Sequence, residues 1–143
     1  MKYYEFMRVD FYILPDPAPD ARERLSCRLA EKAYKMGHTV YLHADSESQA
    51  QRLDDLLWTF RAGSFVPHAR GGGQPSPVLI GSGEAPGAAD LLITLSAAVP
   101  AFYERFTRVA EIIDGNEDNK RAGRERFRFY RGRGLEPQSH HLG

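Results

Sequence analysis

The stretch best equipped for chemistry is Lys120-Arg121-Ala122-Gly123-Arg124-Glu125-Arg126-Phe127-Arg128-Phe129-Tyr130-Arg131-Gly132-Arg133-Gly134. It holds seven basic side chains and one acid, a local charge of about +6 in a chain of zero formal net charge. Lys120, Arg124, Phe127 and Arg131 are spaced by four, three and four, so a helix places them on one face. Phe129 can turn toward a sheet, with Ala122 and the Arg126 stem near it, and Tyr130 borders the two faces. Gly123 inside such a helix costs about 1 kcal/mol relative to Ala, which points to fraying or close packing there. Three readings stay open. The helix can be a solvated amphipathic element whose aromatics are core. It can bind single-stranded nucleic acid directly, with Arg on phosphates and rings stacked on bases. Or it can capture an acidic peptide with a free C-terminus, where Arg meets carboxylates in bidentate geometry. A neutral chain leans toward the peptide, because nucleic-acid binding recruits a wider basic surface.

A second rich stretch is Leu53-Asp54-Asp55-Leu56-Leu57-Trp58-Thr59-Phe60-Arg61-Ala62-Gly63-Ser64-Phe65-Val66-Pro67-His68, with the only Trp of the chain. Large rigid side chains at a helix end serve either as a core plug or as an anchor for a partner. Other candidates for chemistry are weaker. His38, His43 and His68 are scattered, and His140-His141 lies near the end of the chain, so no metal-binding spacing emerges. Asp54 and Asp55 point about 100° apart on a helix and do not converge as a catalytic pair. Ser64 and His68 form no triad signature. Gly71-Gly72-Gly73 lacks the Lys-Ser/Thr of a P-loop and reads as a connector. Cys27 reads as a buried structural thiol with no basic group placed to activate it. No catalytic constellation, cofactor site or metal site is expected.

The elements that carry these residues alternate. Phe11-Tyr12-Ile13-Leu14 is an apolar run of β-formers, a first strand that stops at Pro15. Pro15, Pro17 and Pro19 make a loop. Asp20 with Glu23 resembles a capping box, and Leu25, Leu29, Ala33 and Met36 follow at helical spacing until Gly37. Thr39–His43 predicts a second strand. Ser46 with Gln49 caps a second helix striped by Ala50, Leu53, Leu56 and Leu57 and ending near Trp58. Val78–Ile80 is a short strand between loops, and Asp90–Leu95 is the strongest buried strand. A short helix around Pro100–Phe106 precedes a strand at Val109–Ile113 and a last helix at about Glu117–Arg131. Residues 135–143 are polar and predict a flexible tail after a domain spanning 1–134. This order is that of an α/β domain with a mostly parallel, Rossmann-like sheet flanked by helices. A Pro-rich loop follows the first strand, so the phosphate-binding Gly-x-Gly-x-x-Gly turn is missing.

With 143 residues, the chain suits one domain that buries roughly 70% of its unfolded surface. Nineteen basic and nineteen acidic side chains argue against a bulk nucleic-acid coat. One cysteine excludes an internal disulfide and multi-cysteine metal sites. Neither a leader nor a long apolar run is evident, so a soluble cytoplasmic protein without membrane association is expected.

Leu53–Trp58, Ser64–His68, Asp90–Leu95, Arg124–Phe127 with Tyr130-Arg131, and Gly134 together resemble the chi subunit of bacterial DNA polymerase III, from about Phe11 to Gly134. The resemblance implies a Rossmann-like, non-enzymatic accessory subunit of the clamp loader, without nucleotide chemistry. It implies two partners: the psi subunit, and the acidic C-terminal tail of single-stranded DNA-binding protein. Some members also partner a DNA-repair helicase through the psi-facing surface, and a nucleoid-associated replisome is the implied location. By position, Trp58 and Phe65 fall on the psi or helicase surface. Ile113, Lys120, Arg124 and Phe127 fall on the tail pocket, with Arg121 and Arg128 as supporting cations. Phe127 stands where the family commonly has Tyr. The Met1–Val9 extension and the Gly-rich loop look particular to this chain. The remaining alternatives are direct single-strand binding and a degenerate nucleotide-binding enzyme.

Overall fold

The structure, a computed structural model, describes residues 7–15, 17–18, 20–71, 75–83, 87 and 89–142. Of the Met1–Val9 extension, residues 1–6 lie outside them, whereas Arg8 and Val9 belong to the first strand; of the Gly71–Gly73 connector, residues 72 and 73 lie outside them. Seven strands form one sheet: β1 (Arg8–Ile13), β2 (Val40–His43), β3 (His68–Arg70), β4 (Val78–Gly81), β5 (Ala89–Thr94), β6 (Phe106–Ile113) and β7 (Gln138–His141). Their spatial order is β3-β4-β2-β5-β6-β1-β7, with every pairing parallel. Among the described residues three α-helices flank the sheet: α1 (Ala21–Lys35), α2 (Glu47–Thr59) and α3 (Glu117–Gly132). The expected α/β class holds, with a fully parallel sheet.

The two faces are separated by the period-2 alternation of the strands. On β6, Ala110 and Ile112 join the core beneath α1 and α2, while Val109 and Ile113 join the core beneath α3. β2 and β5 are apolar on both sides, as central parallel strands require. Gly37 closes α1 at φ +84°, a conformation that suits glycine. Ser46 caps α2 by accepting from Gln49 N–H at 3.1 Å, and Gln49 Oε1 accepts from Asp45 N–H at 2.7 Å.

Several expectations need correction. Residues 138–141 are not a loose tail: they form β7, in parallel register beside β1, and Leu135 and Pro137 before them are buried. The strand is polar because it lies at a sheet edge, so it lacks the apolar signal of a core strand. His68–Arg70, just before the Gly-rich connector, forms the opposite edge strand, too short to show periodicity. The expected Asp20–Glu23 capping box does not form. Asp20 accepts from Arg24 instead, and Glu23 turns inward to accept from Gln49 Nε2 at 3.1 Å, joining α1 to α2. The helix expected at Pro100–Phe106 is a single 3-10 turn at Tyr103–Arg105.

Tyr130, not Phe129, is the ring beneath α3. Tyr130 is fully buried, whereas Phe129 is 40% exposed and packs edge-on against Tyr103 and Tyr130. The reason is polar: the Tyr130 hydroxyl has an acceptor inside, donating to Glu111 Oε2 at 3.0 Å. Arg126 Nε donates to Glu111 Oε1 at 2.7 Å, and its Nη1 reaches Ala97 O at 2.9 Å. Burial pushes the Glu111 carboxyl up, against the pull of Arg126 and Tyr130, and burial with the Glu111 charge pushes the Tyr130 phenol up. A second buried acid, Asp10 on β1, is met by Arg8, Arg108 and His140 at 2.9, 3.0 and 2.8 Å. Burial alone would raise its pKa; the His140 hydrogen bond and the two guanidiniums outweigh it and hold Asp10 below the usual carboxylate range.

Two outcomes follow for stability. Glu111→Ala leaves a buried guanidinium and a buried phenol without their acceptor, and should cost about 3–5 kcal/mol in urea denaturation; an unshifted midpoint would remove the pair from the stabilising account. The Asp10 contribution is complete above the unfolded carboxylate value of about 3.9 and is lost as pH falls through the lowered folded value. Asp10→Asn should therefore flatten the acid limb of a pH–stability curve measured by thermal melting.

Candidate functional site

α3 begins where Asn116 Oδ1 accepts from Asp118 and Asn119 N–H at 2.9 and 3.0 Å. Asp114 braces the turn by accepting from Asn116 N–H and Asn119 Nδ2. Gly123, Arg126 and Tyr130, spaced by three and four, form the buried face. A Cβ at Gly123 would lie 2.3 Å from Ile113 Cδ1, so glycine lets α3 approach the end of β6. The helical cost of Gly123 is thus tied to close packing, one of the two alternatives its position raised.

The neighbouring face of α3 overhangs a groove of about 450 Å3 at the carboxyl ends of β1, β6 and β7. β1 leads to α1 on one face of the sheet, and adjacent β6 leads to α3 on the other. Such a reversal opens a crevice beyond the strand ends, the usual ligand position in α/β sheets. Phe11, Ile13 and Ile113 make an apolar floor, and the Phe127 ring lies 5.1 Å from that of Phe11. Lys120 and Arg124 supply charge, and no acid is among the described lining residues.

Ile113, Lys120, Arg124 and Phe127, named from the sequence, all line this one groove. Arg121 and Arg128 do not; each is exposed and ion-paired to an acid three residues earlier, Asp118 and Glu125. Lys120 pairs with Glu117 at 2.8 Å, whereas Arg124 has no hydrogen bond or ion pair among the described residues. With Arg126 committed to Glu111, much of the raw charge of the helix is locally offset. That weakens the case for a broad phosphate-binding stripe, which needs several unpaired cations. Sequence reasoning missed Phe11, Ser139 and His141 as groove residues. The two on β7 carried no signal, since a polar edge strand reads like a tail.

Trp58 and Phe65 are 59% and 62% exposed, with ring centroids 6.0 Å apart. Their support is rigid. The Trp58 ring lies 4.7 Å from His68, which is held by Asp54 at 2.9 Å and Val66 O at 2.7 Å. Val66 is buried beneath the loop. Glu31 of α1 grips the same loop, accepting from Arg61 at 2.5 Å and from Ser64; these bonds, Arg61 first, hold its carboxyl below the usual range. An exposed aromatic pair on a braced loop is an anchor surface. It belongs to the α2 side and the β3–β4 end of the sheet, away from the groove at the β1–β7 end.

The remaining candidates have structural surroundings. His43 is buried against Thr94, and burial lowers its pKa. The Cys27 thiol is buried and pushed up to about 12, chiefly by burial. Among the described residues no group of three or more His, Cys, Asp and Glu is placed to hold a metal, and no helix is long and apolar enough to cross a membrane.

A family described as "DNA polymerase III chi subunit, HolC" matches residues 6–138. The DNA polymerase III subunit chi of Pseudomonas aeruginosa is 45% identical over 137 residues, 94% of this chain and 96% of that one. The subunit of the same name from Escherichia coli is 32% identical over 130 residues, 85% of this chain and 88% of that one. Among solved structures, the C-terminal domain of the DEAD-box protein Dbp5 superposes with a TM-score of 0.65 at 12% identity, covering 95% of this chain and 91% of that one. At that identity the likeness is one of fold.

The Ile113–Gly123 contact is testable. Gly123→Ala gains about 1 kcal/mol of helix propensity but must displace the end of Ile113. Thermal melting should show a net change well below that gain. An increase of the full amount would mean that the close approach carries no constraint.

Proposed function

The chain belongs to the DNA polymerase III chi-subunit family, accessory subunits of DNA replication, and on that premise we propose a non-catalytic adaptor with two docking surfaces. The groove beneath α3 takes the acidic C-terminal tail of single-stranded DNA-binding protein. The surface around Trp58 and Phe65 takes the psi subunit, and through it the clamp loader; a DNA-repair helicase is a further occupant of that surface.

The observation that carries this reading is the groove itself: an apolar floor rimmed by Lys120 and Arg124 with no acid in its described lining. A terminal Phe ring seats on Ile113 and Phe127, and its carboxylate pairs with Arg124. Lys120 attracts the acidic residues before it, with Arg121 and Arg128 adding to the field from outside the groove. Burying one ring contributes about 2 kcal/mol, and a charge-assisted hydrogen bond about 1.5–3 kcal/mol. After ordering costs, an affinity of micromolar order, roughly −8 kcal/mol, is expected for the tail. Phe127 offers no hydroxyl, so that contribution is purely apolar. The exposure of Trp58 and Phe65 supports the second surface, because their loop is already braced by Glu31 and His68.

The test separates the two surfaces. Arg124→Ala should weaken binding of a peptide ending in acidic residues and Phe at least tenfold in calorimetry, while keeping the psi partner in a pull-down. Trp58→Ala with Phe65→Ala should lose the partner and keep the peptide. Unchanged peptide affinity in Arg124→Ala would remove the groove from this role. Steeply salt-dependent binding of a labelled oligonucleotide would favour direct nucleic-acid binding instead.

A further inference from the structure

β7 forms one wall of the groove and one edge of the sheet. Among the described strands it pairs with β1 alone, Asp10 opposite Gln138 and Ile13 opposite His141. Side chains alternate across a strand, and the two sides of β7 have different surroundings. His140 faces the α1 side, where its Nε2 meets Asp10 at 2.8 Å and its ring stacks on Tyr12 at 4.9 Å. Leu142 continues that attachment: its N–H donates to Ile13 O at 2.9 Å and its side chain packs into the core beneath α1. Ser139 and His141 face the α3 side and line the groove. Both are exposed, and neither side chain has a hydrogen bond or ion pair among the described residues. β7 is therefore fastened on one face and open on the other.

The groups around His141 are few in kind. α3 presents Lys120 and Arg124 across the groove, and β1 and β6 present Phe11, Ile13 and Ile113, all uncharged. Of the described acids nearby, Glu117 sits on Lys120 at the groove rim, Asp114 is held by Asn116 and Asn119, Asp10 lies on the opposite side of β1, and Glu136 lines an adjoining pocket with Phe127 and Arg131 rather than this groove. An anion in the groove thus has permanent cations on the α3 wall and an imidazole on the β7 wall.

We infer that His141 is a proton-dependent third cation of this groove, so that an acidic peptide is clamped between Arg124 and a protonated imidazole and its binding takes up a proton at His141. This rests on the acidic-tail reading of the groove and adds to it a residue, a second wall and a pH dependence. Imidazoles change charge between about pH 5 and 8. A carboxylate seated in the groove favours a positive charge on the β7 wall. By linkage, whatever favours protonation of His141 on binding must make binding tighter as pH falls. The gain ends near pH 4, where the carboxylates of the peptide lose their charge. Ser139 offers the same wall a donor that does not titrate.

The experiment titrates the full chain with an N-acetylated peptide of Asp and Glu residues ending in Phe, at pH 6 and pH 8 and constant ionic strength. Acetylation removes the α-amino group that would titrate in this window. Each titration is run in two buffers of different ionisation enthalpy. The wild-type chain should bind about three- to fivefold more tightly at pH 6, the size of an exposed ion pair, with a buffer-dependent heat that reports proton uptake. His141→Gln should lose both the pH 6 gain and the proton uptake, and His141→Lys should bind equally at the two pH values. His140→Gln should retain the pH 6 gain. A wild-type affinity independent of pH, or the same pH 6 gain in His141→Gln, would overturn the inference while leaving the groove as the tail site. No binding by the wild-type chain at either pH would overturn the tail reading and this inference with it.

Discussion

The buried ion pair between Glu111 and Arg126 fixes the position of α3, and with it the groove. A carboxylate with no exposure sits in the middle of β6, and a helix that placed an apolar residue against it would leave it uncompensated. Arg126 and Tyr130 therefore set both the height and the rotation of α3. Gly123 completes the constraint three residues earlier by letting the helix close on Ile113. Once those three positions face inward, Lys120, Arg124 and Phe127 have no choice but to border the open end of the sheet. Binding residues and buried residues alternate on one helix, so the geometry of the first set is inherited from the second.

Such a pair is costly to bury, and an apolar replacement of similar volume would serve stability as well or better. What the polar arrangement adds is a unique seat. An amphipathic helix on an apolar sheet can slide or roll by a turn at small cost, whereas Glu111 accepts two directed bonds that only one placement satisfies. A groove built between that helix and the strand ends is then formed before any ligand arrives, which lowers the ordering cost of binding.

The central sheet was legible from the sequence because its strands are apolar on both faces and end at turn residues: β2 and β5 could be nothing else. The Ser46–Gln49 cap and the Gly37 stop were equally plain, each resting on contacts within a few residues. What local pattern could not convey were choices made by distant partners. Glu23 had the spacing of a capping box, yet Gln49 of another helix claimed it. Phe129 was expected to turn inward, yet Glu111 offers an acceptor that only the Tyr130 hydroxyl can meet. β7 is polar because its stability comes from Asp10 and Tyr12, some 130 residues earlier, so no feature of residues 138–141 announces it. The α3 side of the groove followed from helical spacing together with family resemblance. The Phe11 and β7 sides did not, for they join it only through the sheet order.

That order also separates the aromatic surface from the groove. Six strand intervals of about 4.8 Å put roughly 29 Å between the edge strands. The Debye length in physiological salt is about 8 Å, so solvent ions around the domain screen a charged ligand in the groove from the exposed aromatic surface. The sheet acts as a spacer between them. Whatever occupies one end leaves the other to be read by shape and apolar contact alone, and any communication between them must travel as deformation of a sheet whose every strand pairing is parallel and hydrogen-bonded.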